Sequence, residues 1–231
     1  IIATDANGCS TSTIRTVTQP SAIVLTVSNT NPLCNGGTGT ITTSASGGTA
    51  PITVTVNNVA PAATYVAGTY TVKATDANGC TTTTLVTITQ PTAVTISSVV
   101  TNPICNGGTG TILPTANGGT TPLTVTINNA APAATYVTGT YTVKATDANG
   151  CTATTLATIT QPLAVLLTAS NTNATCNGGT GTITASGSGG TGVVTVTING
   201  AAPAATYVAG TYTIIATDAN GCSTSTIRTV T

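Results

Sequence analysis

Short runs in which apolar and polar residues alternate with a period of two recur along this chain. Between residues 21 and 91 the runs are "AIVLTVS", "GTGTITTSA", "PITVTVNN", "GTYTVKATD" and "TTTTLVTIT". In the third, Ile52, Val54 and Val56 share one face, with Thr53 and Thr55 on the other. In the fourth, Tyr70, Val72 and Ala74 oppose Thr71, Lys73 and Thr75. That period belongs to half-buried strands, and the β-branched Thr and Val suit a pleated surface. "APAATYV" reads as a short strand or a crossing segment. No apolar period near 3.6 occurs, so the pattern predicts an all-β fold.

The connections carry turn chemistry. "SGGTAP", "NGGTTP" and "SGGTGV" link the second and third runs of successive units. Asn78-Gly79, Asn149-Gly150 and Asn220-Gly221 sit between alternating runs, and both residue types tolerate positive φ, so hairpins are predicted there. Asp76, Asp147 and Asp218 open these turns and read as side-chain acceptors for turn amides. The competing reading is a calcium ligand, but calcium takes six to eight oxygens, several of them from carboxylates. Tyr70, Tyr141 and Tyr212 begin the penultimate strand, where a sandwich places a tyrosine corner. Tyr65, Tyr136 and Tyr207 are the better candidates for sugar stacking, against a packing role. Position 86 is Val, while its equivalents are Ala157, Arg15 and Arg228. A position accepting Arg is expected to face solvent, and its neighbours Leu85, Leu156, Ile14 and Ile227 to face inward. Ile88 shares parity with position 86, so a β-bulge near 86–87 is predicted.

The runs repeat as a block. "CNGGTGTI" begins at Cys34, Cys105 and Cys176, steps of 71 residues, and "TQP" closes a unit at Pro20, Pro91 and Pro162. The organisation is the end of a preceding unit at 1–20, followed by units 21–91, 92–162 and 163–231. Residues 1–18 are identical to residues 214–231, an offset of 213. A 71-residue period exceeds a solenoid coil or a propeller blade and suits a small β-sandwich with its own core. Tandem immunoglobulin-like sandwiches stacked end to end are therefore expected. The joints at Gln90-Pro91 and Gln161-Pro162 are expected to be stiff, because proline restricts itself and its predecessor.

Composition narrows the functions. Charged residues make up 3% of the chain, with four bases, four acids and no His. All four acids are Asp, one in each "TDANGC". So few bases argue against nucleic-acid binding, which needs Lys and Arg at phosphates. With no His or Glu and one Asp per unit, a base–nucleophile pair for catalysis cannot be assembled, so no enzyme and no cofactor are expected. The apolar runs are far shorter than the roughly 20 residues a membrane helix needs. Seven cysteines without C-x-x-C or His point to disulfides in an oxidising, extracellular setting rather than to zinc. The abrupt start at "IIATDANGCS" reads as an internal piece of a longer protein. Asn173-Ala174-Thr175 is the single N-x-S/T sequon.

"CNGGTGTI", the "GGT" turn, "AGTYTVKATDANGC" and the closing "TITQP", in that order through each unit, resemble the SprB-type repeats of Bacteroidetes surface proteins. The resemblance implies sandwiches of the immunoglobulin-like or polycystic-kidney-type kind in large cell-surface adhesins, some exported by the type IX route. Two departures count against ligand or ion binding and favour a spacer. The third strand has "ITVTV", "LTVTI" or "VTVTI" where the family has an aromatic, and Gly-Thr-Gly follows "CNG" where it has an acid.

In such a sandwich the "CNGG" and "NGC" cysteines of one unit lie at opposite poles. A seven-residue strand spans about 23 Å, while bridged Cα atoms sit within about 7 Å. Bonds between successive units are then expected, Cys34 with Cys151 and Cys105 with Cys222. Cys9, Cys80 and Cys176 are left to partners outside these units or in a neighbouring chain. A bond within a unit, Cys34 with Cys80, and free thiols are the alternatives. The function these features favour is a structural stalk or filament of an adhesin, self-associating or meeting glycans and host or substratum surfaces. A carbohydrate-binding array is the alternative. An ice-binding face built on ranks such as Thr53/Thr55 and Thr71/Thr75 is a more distant one.

Overall fold

A computed structural model describes Ile1–Thr231. The chain is all-β, eighteen strands and no helix, and it divides into two compact units, Ile1–Ala93 and Val94–Thr231.

In the first unit, β1 (Ile2–Thr4) and β2 (Ser10–Ser12) form an isolated hairpin with every side chain exposed. A sandwich follows. Strands β3 (Val24–Thr30) and β4 (Thr40–Ser46) make one antiparallel sheet. Strands β5 (Thr53–Val56), β6 (Gly68–Thr75) and β7 (Thr81–Ile88) make the other, in sequence order. Ile41, Val56, Tyr65, Val72, Val86 and Ile88 fill the space between them, with Leu25, Val27, Val54 and Tyr70 packed alongside. The alternation read from the sequence thus points its apolar face inward. The "APAATYV" segment crosses between sheets and touches the first through a single bridge, Tyr65 to Gly39.

The second unit holds two further sandwiches, each with its own core. One is built from β8 (Thr95–Thr101), β9 (Thr111–Asn117), β10 (Thr124–Ile127), β11 (Gly139–Thr146) and β12 (Thr152–Ile159) around Val143 and Ile159. The other comprises β13 (Leu166–Thr172), β14 (Thr180–Ser188), β15 (Thr195–Ile198), β16 (Tyr207–Val208), β17 (Gly210–Thr217) and β18 (Ser223–Val230) around Ile214 and Val230. Only here does the crossing segment become a strand, β16, paired with β14.

One expectation is overturned and one is refined. The β6–β7 ladder is unbroken from Gly68↔Ile88 to Thr75↔Thr81, so there is no bulge at 86–87. Position 86 faces the core with Ile88, and Leu85 is the exposed residue, at 69%. The Arg at this position reconciles the two facts. Arg228 lies with its stem against the sandwich and carries its guanidinium to the edge, where Nε and Nη2 donate to Ala169 O at 3.0 and 2.7 Å. An inward position near a sheet edge therefore admits Val, Ala or Arg, because a long stem reaches a free carbonyl.

The second concerns turns. In the Asn-Gly hairpins only the glycine has positive φ, as at Gly79 (83°). Each is a longer loop closed by Gly79 N donating to Asp76 O and Asp76 N donating to Cys80 O. The two-residue hairpin with both centres left-handed lies elsewhere, at Asn57-Asn58 (50° and 65°), Asn128-Asn129 and Asn199-Gly200. There Asn57 Oδ1 accepts from Thr71 N at 2.9 Å.

One buried side-chain oxygen lacks a partner in each of the first two sandwiches, Thr55 Oγ1 and Thr126 Oγ1. A buried hydroxyl without a hydrogen bond costs about 1–3 kcal/mol in mutational data. Thr126→Val, which keeps the shape and removes the hydroxyl, is expected to stabilise its sandwich by about 1 kcal/mol in urea unfolding. A loss of stability would show that the hydroxyl is satisfied.

Candidate functional site

The residues singled out by the sequence gather at the two ends of each sandwich. One end is the "TDANGC" hairpin. Asp76 Oδ1 accepts from Asn78 N (3.0 Å) and Cys80 N (2.8 Å), closing the turn. Its Oδ2 accepts from Thr49 N in the "GGT" loop at 2.9 Å. Asp147 and Asp218 make the same three bonds, the long-range one to Thr120 and Thr191. The carboxylate is thus a clamp between two loops distant in sequence as well as a turn acceptor. The "GGT" signal follows from that clamp. A Cβ on Gly190, at φ 59°, would fall 2.7 Å from the Asp218 Cβ and 2.8 Å from Val165, so the carboxylate needs a glycine beside it.

These amide bonds, that of Thr49 foremost, hold the Asp76 carboxyl below its ordinary pKa against a smaller opposing effect of desolvation. Asp147 and Asp218 are lowered likewise, by Thr120 and Thr191 foremost. A depressed folded-state pKa adds stability that is complete above the unfolded value of about 3.9 and is lost as pH falls through the folded one. Unfolding midpoints should therefore be flat near neutrality and fall in acid, and Asp147→Asn should lower stability at pH 7 while making the acid loss shallower. An unchanged acid slope would mean that another group carries it. The carboxylate oxygens already accept backbone amides, and no three His, Cys, Asp or Glu side chains gather as a metal site. Melting curves with and without a calcium chelator are expected to coincide; a drop of many degrees with chelator would assign Asp76 and its equivalents to an ion.

The other end is the "CNGG" loop. Gly37 N donates to Cys34 O, and Gly36 has a φ of 77°. The loop is tied to the unit's own closing residues. Gly36 N donates to Gln90 Oε1 (2.8 Å), and Asn35 Nδ2 to Pro91 O (3.0 Å). Gly107 and Asn106 repeat this with Gln161 and Pro162 at the same distances. Sequence reasoning missed these ties, although "NGG" and "TQP" recurring in step was the signal. They hold the proline joint as side-chain bonds as well as through proline's own stiffness.

Within the second unit the two kinds of end meet. Cys105 of one sandwich is disulfide-bonded to Cys222 of the next, with Cα atoms 5.5 Å apart. Asn78 and Asn149 donate their side-chain amides to Thr49 and Thr120 of their own loops. Asn220 reaches the Ile104 carbonyl across the junction, at a long 3.5 Å. Cys34 and Cys151 are not among the free cysteines. Cys9, Cys80 and Cys176 are free and exposed.

The tyrosines form pairs. Tyr70 Oη donates to Val66 O at 2.9 Å, Tyr141 to Val137 O at 2.8 Å, and Tyr212 to Val208 O at 2.9 Å. Each tie pins the crossing segment to the sheet. Tyr65 and Tyr207 are buried and meet Tyr70 and Tyr212 edge-on, ring centroids 4.9 Å apart, as Tyr136 meets Tyr141. Their hydroxyls accept from Ala62, Ala133 and Ala204 amides.

No family model matches the sequence, and no curated protein matches it.

Proposed function

We propose that this chain is a structural segment of an extracellular stalk or filament, in the manner of a bacterial cell-surface adhesin built from tandem sandwiches. The observation that carries this reading is the disulfide between Cys105 and Cys222, which fastens one sandwich to the next in a near-identical series. Side-chain bonds from Gln161 and Asn106 stiffen the same joint. Disulfide bonding supports an oxidising compartment, outside the cell or on its surface. No helix is long and apolar enough to cross a membrane. The resemblance to SprB-type repeats, with type IX export, belongs to this proposal and rests on the quoted motifs.

The low charge supports association between arrays, since few charges must be desolvated when surfaces meet. The carbohydrate-binding alternative is weakened by its own candidates, because Tyr65 and Tyr207 turn inward rather than offering a ring to a sugar. No catalytic role, cofactor or nucleic-acid partner is part of the reading. Electron microscopy of native surface material labelled with antibodies to this chain tests it. Label along uniform filaments or stalks is expected. Label only on dispersed protein, or capture of the chain by a polysaccharide column, would overturn it.

A further inference from the structure

We propose that Asn117-Gly118 is a self-modification site, where the Gly118 amide nitrogen closes on the Asn117 carboxamide and the isoaspartate that results releases the neighbouring Asp147 clamp. The inference does not rest on the adhesin reading. Asn-Gly resists this ring closure least, because glycine has no side chain beside the attacking nitrogen and leaves the backbone free to turn. The chain holds nine such pairs. Asn7, in the isolated hairpin, and Asn177, in the last "CNGG" loop, are set aside, because the chain contains no "GGT" loop or Gln-Pro to face them.

Six of the other seven pairs are held. In the "TDANGC" hairpins the glycine nitrogen is already a donor, Gly79 to Asp76 O, Gly150 to Asp147 O and Gly221 to Asp218 O. Asn78 and Asn149 also have their carboxamides engaged, with Thr49 and Thr120. In the "CNGG" loops Gly36 and Gly107 donate to Gln90 and Gln161, while Asn35 and Asn106 donate to Pro91 and Pro162. Asn199 Oδ1 accepts from Thr213 N at 2.8 Å. Asn117 differs. It ends β9 with its side chain exposed, and neither its carboxamide nor the Gly118 nitrogen makes a hydrogen bond. Gly118 has a φ of 75°. Local sequence does not set this pair apart, since Ala-Asn-Gly also occurs at 77–79 and 148–150. The other two sandwiches carry Ser46 and Ser188 at the place of Asn117.

The reaction is a condensation followed by a hydrolysis. Gly118 N loses its proton to solvent and attacks Asn117 Cγ. The Cγ–Nδ2 bond breaks, and Nδ2 leaves as ammonia, which takes up a proton from solvent. Water then opens the five-membered imide. Addition at the Asn117 backbone carbonyl breaks its bond to Gly118 N and gives isoaspartate, with the main chain routed through Cγ. Addition at Cγ gives aspartate on an ordinary backbone. No oxidant or reductant is consumed.

Isoaspartate lengthens the main chain by one methylene directly before Gly118, Gly119 and Thr120. That segment has no room to spare. A Cβ on Gly119 would fall 2.6 Å from Val94 Cγ2 and 2.8 Å from Asp147 Oδ2. The next amide, Thr120 N, donates to Asp147 Oδ2 at 2.9 Å. The added methylene displaces that amide and opens the clamp, whereas aspartate leaves it in place.

The test is incubation of the purified whole chain in mildly alkaline buffer, with peptide mapping and enzymatic methyl labelling of isoaspartate. Asn117 is expected to convert first, about tenfold faster than Asn78 or Asn106, because each hydrogen bond that must open beforehand slows the attack by a factor of about two to ten. In concentrated urea Asn78 and Asn117 should react at one rate. Asn117→Ser, which installs the residue of the other two sandwiches, should remove the early product and leave the melting temperature unchanged. Chain enriched in isoaspartate at this position should melt below the parent, and Asn117→Asp should melt with the parent. Equal rates at Asn78 and Asn117 in the folded chain would overturn the proposal. A rate difference that survives in urea would do the same, because selectivity would then lie outside the fold. Melting of the isoaspartate form with the parent would overturn the release of the clamp.

Discussion

Ile88→Ala is expected to remove about half of the stability of the first sandwich. Ile88 is 1% exposed and is packed with Val56, Val72 and Val86 between the two sheets. The packing is close enough that a Cβ on Gly39 would come within 3.1 Å of the Ile88 Cγ2. Deleting such a side chain costs about 2–5 kcal/mol, the transfer of its methyl groups plus the cavity left behind. A domain of about 70 residues has only about 4–10 kcal/mol in total. Hydrogen exchange of the β6 amides, read by mass spectrometry on the whole chain, should therefore accelerate between about thirty-fold and several thousand-fold, at about 1.4 kcal/mol per factor of ten. Leu85→Ala is the control. It removes a side chain of the same size from the same strand, but Leu85 points to solvent, so a change within about 0.5 kcal/mol is expected. Equal effects of the two would mean that the inward parity of β7 is wrong.

Cys105→Ser combined with Cys222→Ser is expected to destabilise the 94–231 unit by about 2–4 kcal/mol. The bond closes a loop with a sequence separation of 117. In the chain-entropy account such a cross-link denies the unfolded ensemble most of its freedom, and the gain for a loop near 100 residues approaches about 4.7 kcal/mol. Because each sandwich has its own core, the full gain appears only if the two melt together. Calorimetry of the double variant should show a melting temperature lower by on the order of 10 °C, with the transition broadened or split. A shift below about one degree would mean that the link is slack and the sandwiches unfold independently. The same variant should leave the melting of the first sandwich's core unchanged.

Much of this arrangement is legible in the residues. The period of two in "TVTV" and "TYTVKAT" carries strand and face together, and the ladder β5–β6–β7 uses it without interruption. The 71-residue repeat marks out segments that each contain one core. The clamp from Asp76 to Thr49 was illegible, because nothing local tells a carboxylate which loop 27 residues away will face its second oxygen. The inward position of Val86 was misread for a related reason. An Arg in the equivalent place looked like a solvent marker, and only the proximity of the Ala169 carbonyl explains its tolerance.

Residues 1–18 and 214–231 separate the two kinds of information, since they are the same sequence in two settings. Both form the hairpin with a left-handed glycine, Gly8 at 87° and Gly221 at 84°. Both carry the bond from the cysteine amide to the Asp carboxylate at 2.8 Å. The turn is therefore set by its own residues, because its hydrogen bonds and its positive φ are satisfied within a few positions. Strand length and burial are not. The pairing covers three residues a side in β1–β2 and eight a side in β17–β18. Val17 is 96% exposed, while its counterpart Val230 is 1% exposed. Burial requires an opposing sheet, which β13 and β14 supply to the second copy of the sequence. Sequence alone determined the turns, the alternation and the placement of cysteines at the ends. The tertiary structure decided which alternating faces become core, because apolar area is removed from water only where a second sheet covers it.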